Sequence, residues 1–364
     1  MDTNNPMVSF CVLFYNQENF VRETLDAMLN QDYKEYEIII RDDYSTDNTR
    51  DQIQKYIKEN KTKYVDIKVE YGKENLGIIK SLNRVIGMAE GEFIALQGGD
   101  DVSLNDRISK SIELILKYKV DLVGVDAKVV NENKETIFNS FYTRNEKGSD
   151  EQYKDELKDG RKIKLDDSVY LINSNNKLVG QDCLGGFGLL FNKKLLNYYG
   201  GILPQNVAYE DRLLTFLAHM NKGCIQYNKQ LVLYRRTSNN VSMPRSIDNN
   251  DILNNMIKLK QLESNVCKAQ IEYLKNNGFV NKQYNKNEVI NCLNLEYYKT
   301  LFIIKSLNRN LIKEKKFYIL KKIITNPNIK SKSSLKSIIG FFTPFLYRRK
   351  VVKEYNKRLV FFGN

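Results

Sequence analysis

Three of the adjacent carboxylate pairs in this 364-residue chain stand beside apolar runs: Asp42 with Asp43, Asp100 with Asp101, and Glu210 with Asp211. The middle pair closes the stretch GEFIALQGGDD, residues 91–101, and carries the plainest chemistry. Two like charges side by side invite a cation. Carboxylate oxygens with no Cys or His nearby suit a hard ion, Mg²⁺ or Mn²⁺, which keeps some waters and shares its shell with substrate phosphates. Gly98 and Gly99 let the backbone turn sharply and let a ligand come close to it. A blander account is that Asp100 and Asp101 cap a helix beginning near Leu104, since Asp before a helix is common. Glu210 and Asp211 open the pattern EDRLLTFLAHM, where acids are favoured at a helix N-terminus in any case. The one histidine, His219, lies inside that pattern and is expected to be structural; any mechanism needing a His base rests on it alone.

These residues need strands and helices to position them. Residues 8–15, VSFCVLFY, are an unbroken apolar run and a candidate central strand, followed by helical spacing at Phe20, Val21, Leu25, Met28 and Leu29. A second strand, Glu37 to Arg41, ends in DDYSTDNT, with Ser45 or Asp47 as N-cap of the next helix. A third, VDIKVEY at 65–71, leads into a helix from about Ile78 to Ala89 and then into GEFIALQGGDD. Four strands alternating with helices predict an open, parallel α/β sheet that binds a nucleotide at its carboxyl edge. The sequences G-x-G-x-x-G and G-x-x-x-x-G-K-[ST] follow none of these strands. Further on, residues 104–118 read as a helix covering the sheet and VDLVGVDAKVV at 120–130 as a strand running toward the site and away again. Residues 131–179 are polar and suit a flap. Residues 185–201 read as a strand and a short helix closed by Gly200 and Gly201, and residues 224–242 as the strand closing the domain.

Composition sets the limits. A hydrophobic content of 42% and a charged content of 28% are ordinary for a soluble globular protein. No apolar run is long enough to span a bilayer, and the first residues lack a signal-type core, so a cytoplasmic location is expected. The five cysteines (Cys11, Cys183, Cys224, Cys267 and Cys292) are widely spaced in apolar surroundings, as reduced core residues are, and no zinc spacing is present. The net charge of +13 resides in the tail, where residues 301–364 hold 16 Lys and Arg against Glu314 and Glu354.

Four motifs occur in order over residues 8–101: V-S-x-x-V-x-x-Y-N, I-I-R-D-D-x-S-T-D-N-T, E-N-L-G-x-x-x-S-L-N and G-E-F-I-A-L-x-x-x-D-D. Together they resemble family 2 glycosyltransferases of the bacterial cell-envelope or polysaccharide type. The resemblance implies a GT-A fold, Rossmann-like with a mostly parallel sheet, and a nucleotide-sugar donor, usually a UDP-sugar. Position by position it implies that the ring of Tyr15, next to Asn16, packs near the base. It implies that Asp42 or Asp43 accepts a hydrogen bond from uracil or ribose; a carboxylate only accepts, so it can select the uracil imide N–H. Asn75, Gly77 and Asn83 match the loop and helix that support the nucleotide. Gly99 and Asp100 match the turn at the metal, with Asp101 the acid after it. Asp211 matches the general base of a Glu–Asp element opened by Glu210, giving an inverting, in-line displacement. The region around residues 185–201 underlies the acceptor pocket.

The chain departs from the family in places. The usual Asp-x-Asp metal motif has Gly98 where its first acid belongs. Leu82 stands where many relatives carry arginine, with Lys80 a candidate replacement. The segment Y-R-x-H-x-x-N-x-S is matched by Tyr234, Arg235, Asn240 and Ser242 but has Thr237 for its histidine, leaving Arg235 or Arg236 to bind phosphate. The Q-x-x-R-W element of processive enzymes is missing and the chain has no tryptophan, which argues for adding one or a few sugars. Gly98 and Thr237 also suit an alternative, a sugar-nucleotide-binding or scaffold protein that has lost turnover. The expected division is a catalytic domain over 1–245 and a basic, α-helical C-terminal region over 246–364, with helices at 250–277, 286–307 and 309–325. Basic residues beside Phe341, Phe342, Phe345, Leu346 and Tyr347 fit a helix lying on an anionic membrane surface, or a solvated tail packed on the catalytic domain. Nucleic-acid binding is not expected, because the tail lacks a recognised motif and an aromatic stacking platform. The sugar, the acceptor and the oligomeric state are not encoded in any motif recognised here.

Overall fold

Strand β1 (Val8–Phe14) is buried along nearly its whole length, as an unbroken apolar run requires when both sheet faces are covered. It lies in parallel register between β2 (Tyr36–Asp42) and β4 (Phe93–Gly98). β3 (Asp66–Tyr71) is parallel on the far side of β2. The helices between them, α1 (Val21–Leu29), α2 (Thr49–Glu59) and α3 (Ile78–Met88), bury one stripe each. In α1 the stripe is Val21, Thr24, Leu25, Met28 and Leu29, the 3.6-residue spacing seen in the sequence. The computed structural model describes residues 5–60, 65–142, 162–172, 184–207, 209–237, 249–277, 284–307 and 325.

Past β4 the sheet becomes mixed. β5 (Val102–Ser103) leads into α4 (Arg107–Tyr118), and β6 (Leu122–Val130) turns back at Asn131–Glu135 into β7 (Thr136–Phe138), antiparallel to it. β8 (Lys162–Asp166) and β9 (Val169–Ile172) form a hairpin. β10 (Leu189–Asn192) inserts antiparallel between β4 and β6. It is followed by a 3₁₀ segment, Lys193–Tyr199, then by Gly200 and Gly201 at positive φ, α5 (Glu210–Met220) and β11 (Cys224–Arg235). β11 is parallel to β6 and antiparallel to β9 and β5. The path across the sheet is β3-β2-β1-β4-β10-β6-β11-β9-β8. The parallel α/β expectation therefore describes the first four strands. Beyond them the pairing is mixed: β5, β7, β9 and β10 run antiparallel to their neighbours, while β11 is parallel to β6.

The chain forms two compact units. The first runs to Arg236 apart from residues 176–180 and 206–209; the second takes those pieces and everything from Thr237. One contiguous core, from Val8 and Phe10 through Ile112 and Val125 to Ile225 and Val232, fills the first unit. His219 is buried there, its Nε2 3.7 Å from Cys224 Sγ, and burial pushes its pKa down to about 4, consistent with a neutral core residue. The second unit contains α6 (Asn249–Asn276) and α7 (Lys286–Leu307), with Val266, Cys267 and Leu274 buried on the first helix and Val289, Cys292 and Leu293 on the second. Cys11, Cys224, Cys267 and Cys292 are buried. Among the described residues no helix is long and apolar enough to cross a membrane. Cys183, Asn240, Ser242, most of the 131–179 stretch and, apart from Thr325, the basic tail from residue 308 on lie outside the described residues.

Candidate active site

The helix after β4 starts at Arg107 with Asp106 as its cap, and β5 intervenes, so Asp100 and Asp101 cap nothing. They instead form a turn fixed from several sides. Thr24 Oγ1 donates to the carbonyls of Gly99 and Asp101, at 3.0 Å each. Asp101 Oδ1 accepts the backbone N–H of Arg235 at 2.9 Å, and the Arg235 Nε donates to the Asp100 carbonyl at 2.8 Å. Asp101 is 2% exposed; burial first, then the neighbouring Asp100 charge, pushes its carboxyl well above the usual carboxylate range. Its side chain also occupies the space beside Gly98, where an added Cβ would lie 2.6 Å from Asp101 Oδ2. A side chain at Gly98, where the family motif has its first acid, would therefore have to displace the Asp101 carboxylate.

Arg235, expected on a phosphate, has its guanidinium in the turn clamp. Besides Asp100 it donates to the Glu132 carbonyl (2.8 Å) and to Glu23 Oε2 (2.9 Å), and it stacks 4.7 Å from the Phe20 ring centre. Beneath the turn, the fully buried Arg107 donates to Gln97 Oε1, Ser103 Oγ and the Leu96 carbonyl, at 2.7, 2.8 and 2.6 Å. Burial holds its pKa below the ordinary guanidinium range.

The ends of β1, β2 and β3 form a second group. Asp42 is fully buried: its Oδ1 accepts Ser45 N (3.1 Å) and its Oδ2 takes both Nε and Nη2 of Arg50 (3.1 and 3.0 Å). Asp43, 5% exposed, accepts Arg41 Nη2 at 3.2 Å and the N–H groups of Leu76 and Gly77 at 3.0 and 2.9 Å. Asn75 Oδ1 also accepts Gly77 N–H, at 3.0 Å. The Asp43 carboxylate thus organises the N-L-G loop. Asn16 N–H donates to Ser45 Oγ (2.9 Å) and Asn16 Oδ1 accepts Thr46 N–H (2.8 Å), which ties the two strand-end loops together. Asn48 occupies the cap position of α2, while Asp47 Oδ1 accepts Thr49 N–H at 3.0 Å. Tyr15 is 47% exposed at this edge. Lys80 lies exposed on α3, and Asn83 bonds both the N–H and the carbonyl of Leu203 at 2.7 Å, a structural duty.

Glu210 and Asp211 form the third group. Asp211 Oδ1 accepts Arg212 N–H at 2.7 Å, and Thr215 Oγ1 donates to the Asp211 carbonyl at 2.8 Å. A Cβ on Gly186 would lie 3.0 Å from Glu210 Oε1 and 3.7 Å from Asp211 Cβ, so the Gly186 backbone lies directly against the pair. Desolvation raises both carboxyl pKa values, and Asp211 raises that of Glu210 further. Beside them Phe187, Phe141 and Tyr234 pack with ring centres 4.5 to 5.7 Å apart, and Tyr142 Oη accepts Gly185 N–H at 3.0 Å. Asp126, buried in β6, holds this group: Oδ1 accepts the N–H of Phe141 at 3.0 Å, and Oδ2 accepts Gln230 Nε2 at 2.8 Å. No motif singled out Asp126, but an acid inside the apolar run VDLVGVDAKVV was its signal.

The first and last of these sequence positions meet through strand pairing. β10 runs antiparallel to β4 with Leu190 opposite Ala95, so the Gly186–Gly188 turn preceding β10 continues alongside the carboxyl end of β4, where Gly98 and Gly99 lie. Gly186 carries the contact to Glu210 and Asp211. Tyr234, next to the Arg235 clamp, packs 5.1 Å from Phe187. The Gly186–Gly188 turn, which touches Glu210 and Asp211, therefore lies at the end of β4 that leads to Asp100.

Residues 9–169 match the model of Glycosyl transferase family 2. Over those residues the chain is similar to that family. Two similar curated proteins are EpsE of Bacillus subtilis (strain 168), 34% identical over 131 residues, which are 35% of this chain and 46% of that protein, and a poly-beta-1,6-N-acetyl-D-glucosamine synthase of Staphylococcus epidermidis, 33% identical over 136 residues, 37% and 32% of the two chains. The chain thus spans less than half the length of these relatives. Among solved structures, S. aureus TarS 1-349 superposes with a TM-score of 0.58 at 18% identity, over 96% of this chain and 91% of that one. Its complex with UDP-GlcNAc gives 0.51 at 18%, over 88% and 89%. These likenesses establish a GT-A-like α/β fold for the family 2 domain.

For a divalent cation the family 2 domain offers hard oxygen donors. Asp100 is 8% exposed at the end of β4, while Asp101 is turned toward β11. Among the described residues no group of three or more His, Cys, Asp or Glu side chains is arranged to hold a metal by itself. The residues fit an ion held jointly by Asp100, water and substrate phosphate oxygens, the usual arrangement for Mg²⁺ at a nucleotide.

Proposed function

We propose that the family 2 domain transfers a hexosyl or N-acetylhexosaminyl group from a nucleotide-sugar, a UDP-sugar in the first instance, to a hydroxyl of a glycan or lipid-linked acceptor, with inversion and without processivity. The observation that carries this is the β4–β10 pairing, which brings the Gly186 turn under Glu210 and Asp211 alongside the Gly98–Gly99 turn that ends in Asp100.

An acceptor hydroxyl is a weak nucleophile and has to lose its proton as it attacks the anomeric carbon. Asp211 takes that proton. Its pKa, raised chiefly by desolvation, makes it a stronger base than an ordinary aspartate. The new C–O bond forms on the face opposite the departing nucleoside diphosphate, whose bond to the anomeric carbon breaks with its electron pair, so the anomeric configuration inverts. Asp100 would hold a divalent cation there, which would supply neutralisation of the charge on that leaving group. Asp101, Arg235 and Thr24 hold the Asp100 turn, and Asp42 and Asp43 hold the loops that frame the nucleotide. The UDP-GlcNAc complex of TarS and the name of the Staphylococcus epidermidis synthase support an N-acetylhexosamine donor.

The test is a panel of UDP-sugars with Mn²⁺ or Mg²⁺, scored for transfer or hydrolysis, with the product anomer determined by NMR. Turnover that disappears in Asp211→Asn supports the proposal, and a product of retained configuration overturns its mechanism. A second reading, a sugar-nucleotide-binding or scaffold protein without turnover, is favoured by Gly98, which supplies no acid at the first position of the usual metal motif and is packed against the Asp101 carboxylate. Tight UDP binding with no turnover on any donor would select it.

A further inference from the structure

Tyr44 stands between the acid pair Asp42–Asp43 and the Ser45 that ties β2 to β1, and it is unusual in two ways. Its φ is 64°, in the left-handed region where a bulky side chain is disfavoured. Its side chain is also not buried in compensation: the residue is 46% exposed, nearly matching Tyr15 at 47%.

The backbone around it is held from both sides. Ser45 N–H donates to Asp42 Oδ1 at 3.1 Å, Asp43 N–H donates to the Phe14 carbonyl at 2.9 Å, and Thr46 N–H donates to Asn16 Oδ1 at 2.8 Å. A Cβ on Gly72 would lie 3.0 Å from Tyr44 N, so the end of β3 backs directly onto this turn. The register places Phe14 opposite Asp42, so Tyr15 and Tyr44 leave neighbouring strand ends one position apart. Strain that the surroundings impose on an exposed ring is the kind that functional sites retain.

The acids at the same edge are poorly placed to grip a base unaided. Asp42 and Asp43 are 0% and 5% exposed, and each already accepts three hydrogen bonds from within the chain. The exposed aromatic surface there belongs to Tyr15 and Tyr44. We propose that Tyr44 stacks on the donor's nucleobase, with Tyr15 beside it, so that ring contact supplies a main part of base affinity. This inference rests on the donor reading above and adds to it a residue that no family motif assigns.

The test is calorimetric titration of the full chain with UDP, GDP, CDP and ADP, and separately with inorganic pyrophosphate plus Mn²⁺. Tyr44→Gly suits the left-handed backbone and is expected to fold at least as well as the parent, read by thermal melting. It is expected to weaken the tightest nucleoside diphosphate by about tenfold, the scale of one lost base-stacking contact. Tyr44→Phe, which keeps the ring, should retain the affinity, and pyrophosphate binding should not change in either variant. Nucleotide affinity within twofold of the parent in Tyr44→Gly, or a parallel loss of pyrophosphate binding, overturns the inference and leaves the donor reading intact. A parent chain that binds none of the four nucleotides overturns both.

Discussion

At the scale of single residues, the proposed chemistry concentrates on a carboxyl pair whose environment resists ionisation. Glu210 and Asp211 are desolvated and adjacent, so both titrate above the usual carboxylate range. Folded-state values above the unfolded ones mean the native state binds more protons. The pair therefore favours folding below the unfolded pKa, and that contribution is lost as pH rises through the raised folded values. Glu210→Gln is accordingly expected to raise the melting temperature at pH 7, and to raise it less at pH 4, a difference that paired thermal scans measure. Activity has the opposite dependence, because a general base works only when deprotonated. Its acidic limb should lie above the pH at which a free aspartate titrates, and Asp211→Asn should lower kcat by about 10²- to 10⁴-fold while leaving UDP affinity near the parent value. Asp211 was legible in the sequence through the motif around it. The closeness of Gly186, the ring cluster under Asp126 and the left-handed Tyr44 were not, since each depends on a contact between positions far apart in the chain.

At the scale of elements, the turn after β4 is the feature that alignment alone misleads about. The sequence reads as an Asp-x-Asp motif that has lost an acid, which invites Gly98→Asp as a repair. The added Cβ would meet Asp101 Oδ2 at 2.6 Å, and Asp101 is itself anchored to the N–H of Arg235 at 2.9 Å, so the new side chain has to push the anchor away. Gly98→Asp should therefore lower stability and weaken Mn²⁺-dependent UDP binding, checked by thermal melting and calorimetry. Tighter metal binding in that variant would contradict the clamp. Arg235→Lys tests the other half of the clamp. A lysine cannot reproduce the fork that reaches Asp100, Glu132 and Glu23, so buried acceptors lose partners at a cost of about 2 kcal/mol, measured by denaturant unfolding.

At the scale of the whole molecule, charge separates the chain in two. The first 300 residues are close to neutral, while residues 301–364 carry 16 basic residues against two acids. If the tail meets an anionic membrane surface, deleting residues 308–364 should abolish co-sedimentation with phosphatidylserine vesicles and leave donor hydrolysis unchanged; unchanged sedimentation disproves the attachment. What the sequence determined unaided was the alternation of buried strands and amphipathic helices in the first hundred residues, and the acid pairs at the strand ends. Local apolar periodicity and turn chemistry are read over a few neighbouring residues, and each of those elements has its cause there. Only the tertiary structure decided that β10 returns antiparallel beside β4, that Asp101 and Arg235 are anchors, and that Asp42 and Asp43 spend their oxygens on neighbouring loops. Strand order and the partner of a buried carboxylate are settled by which distant segments share one core, and that information is spread over the chain with no local pattern to carry it.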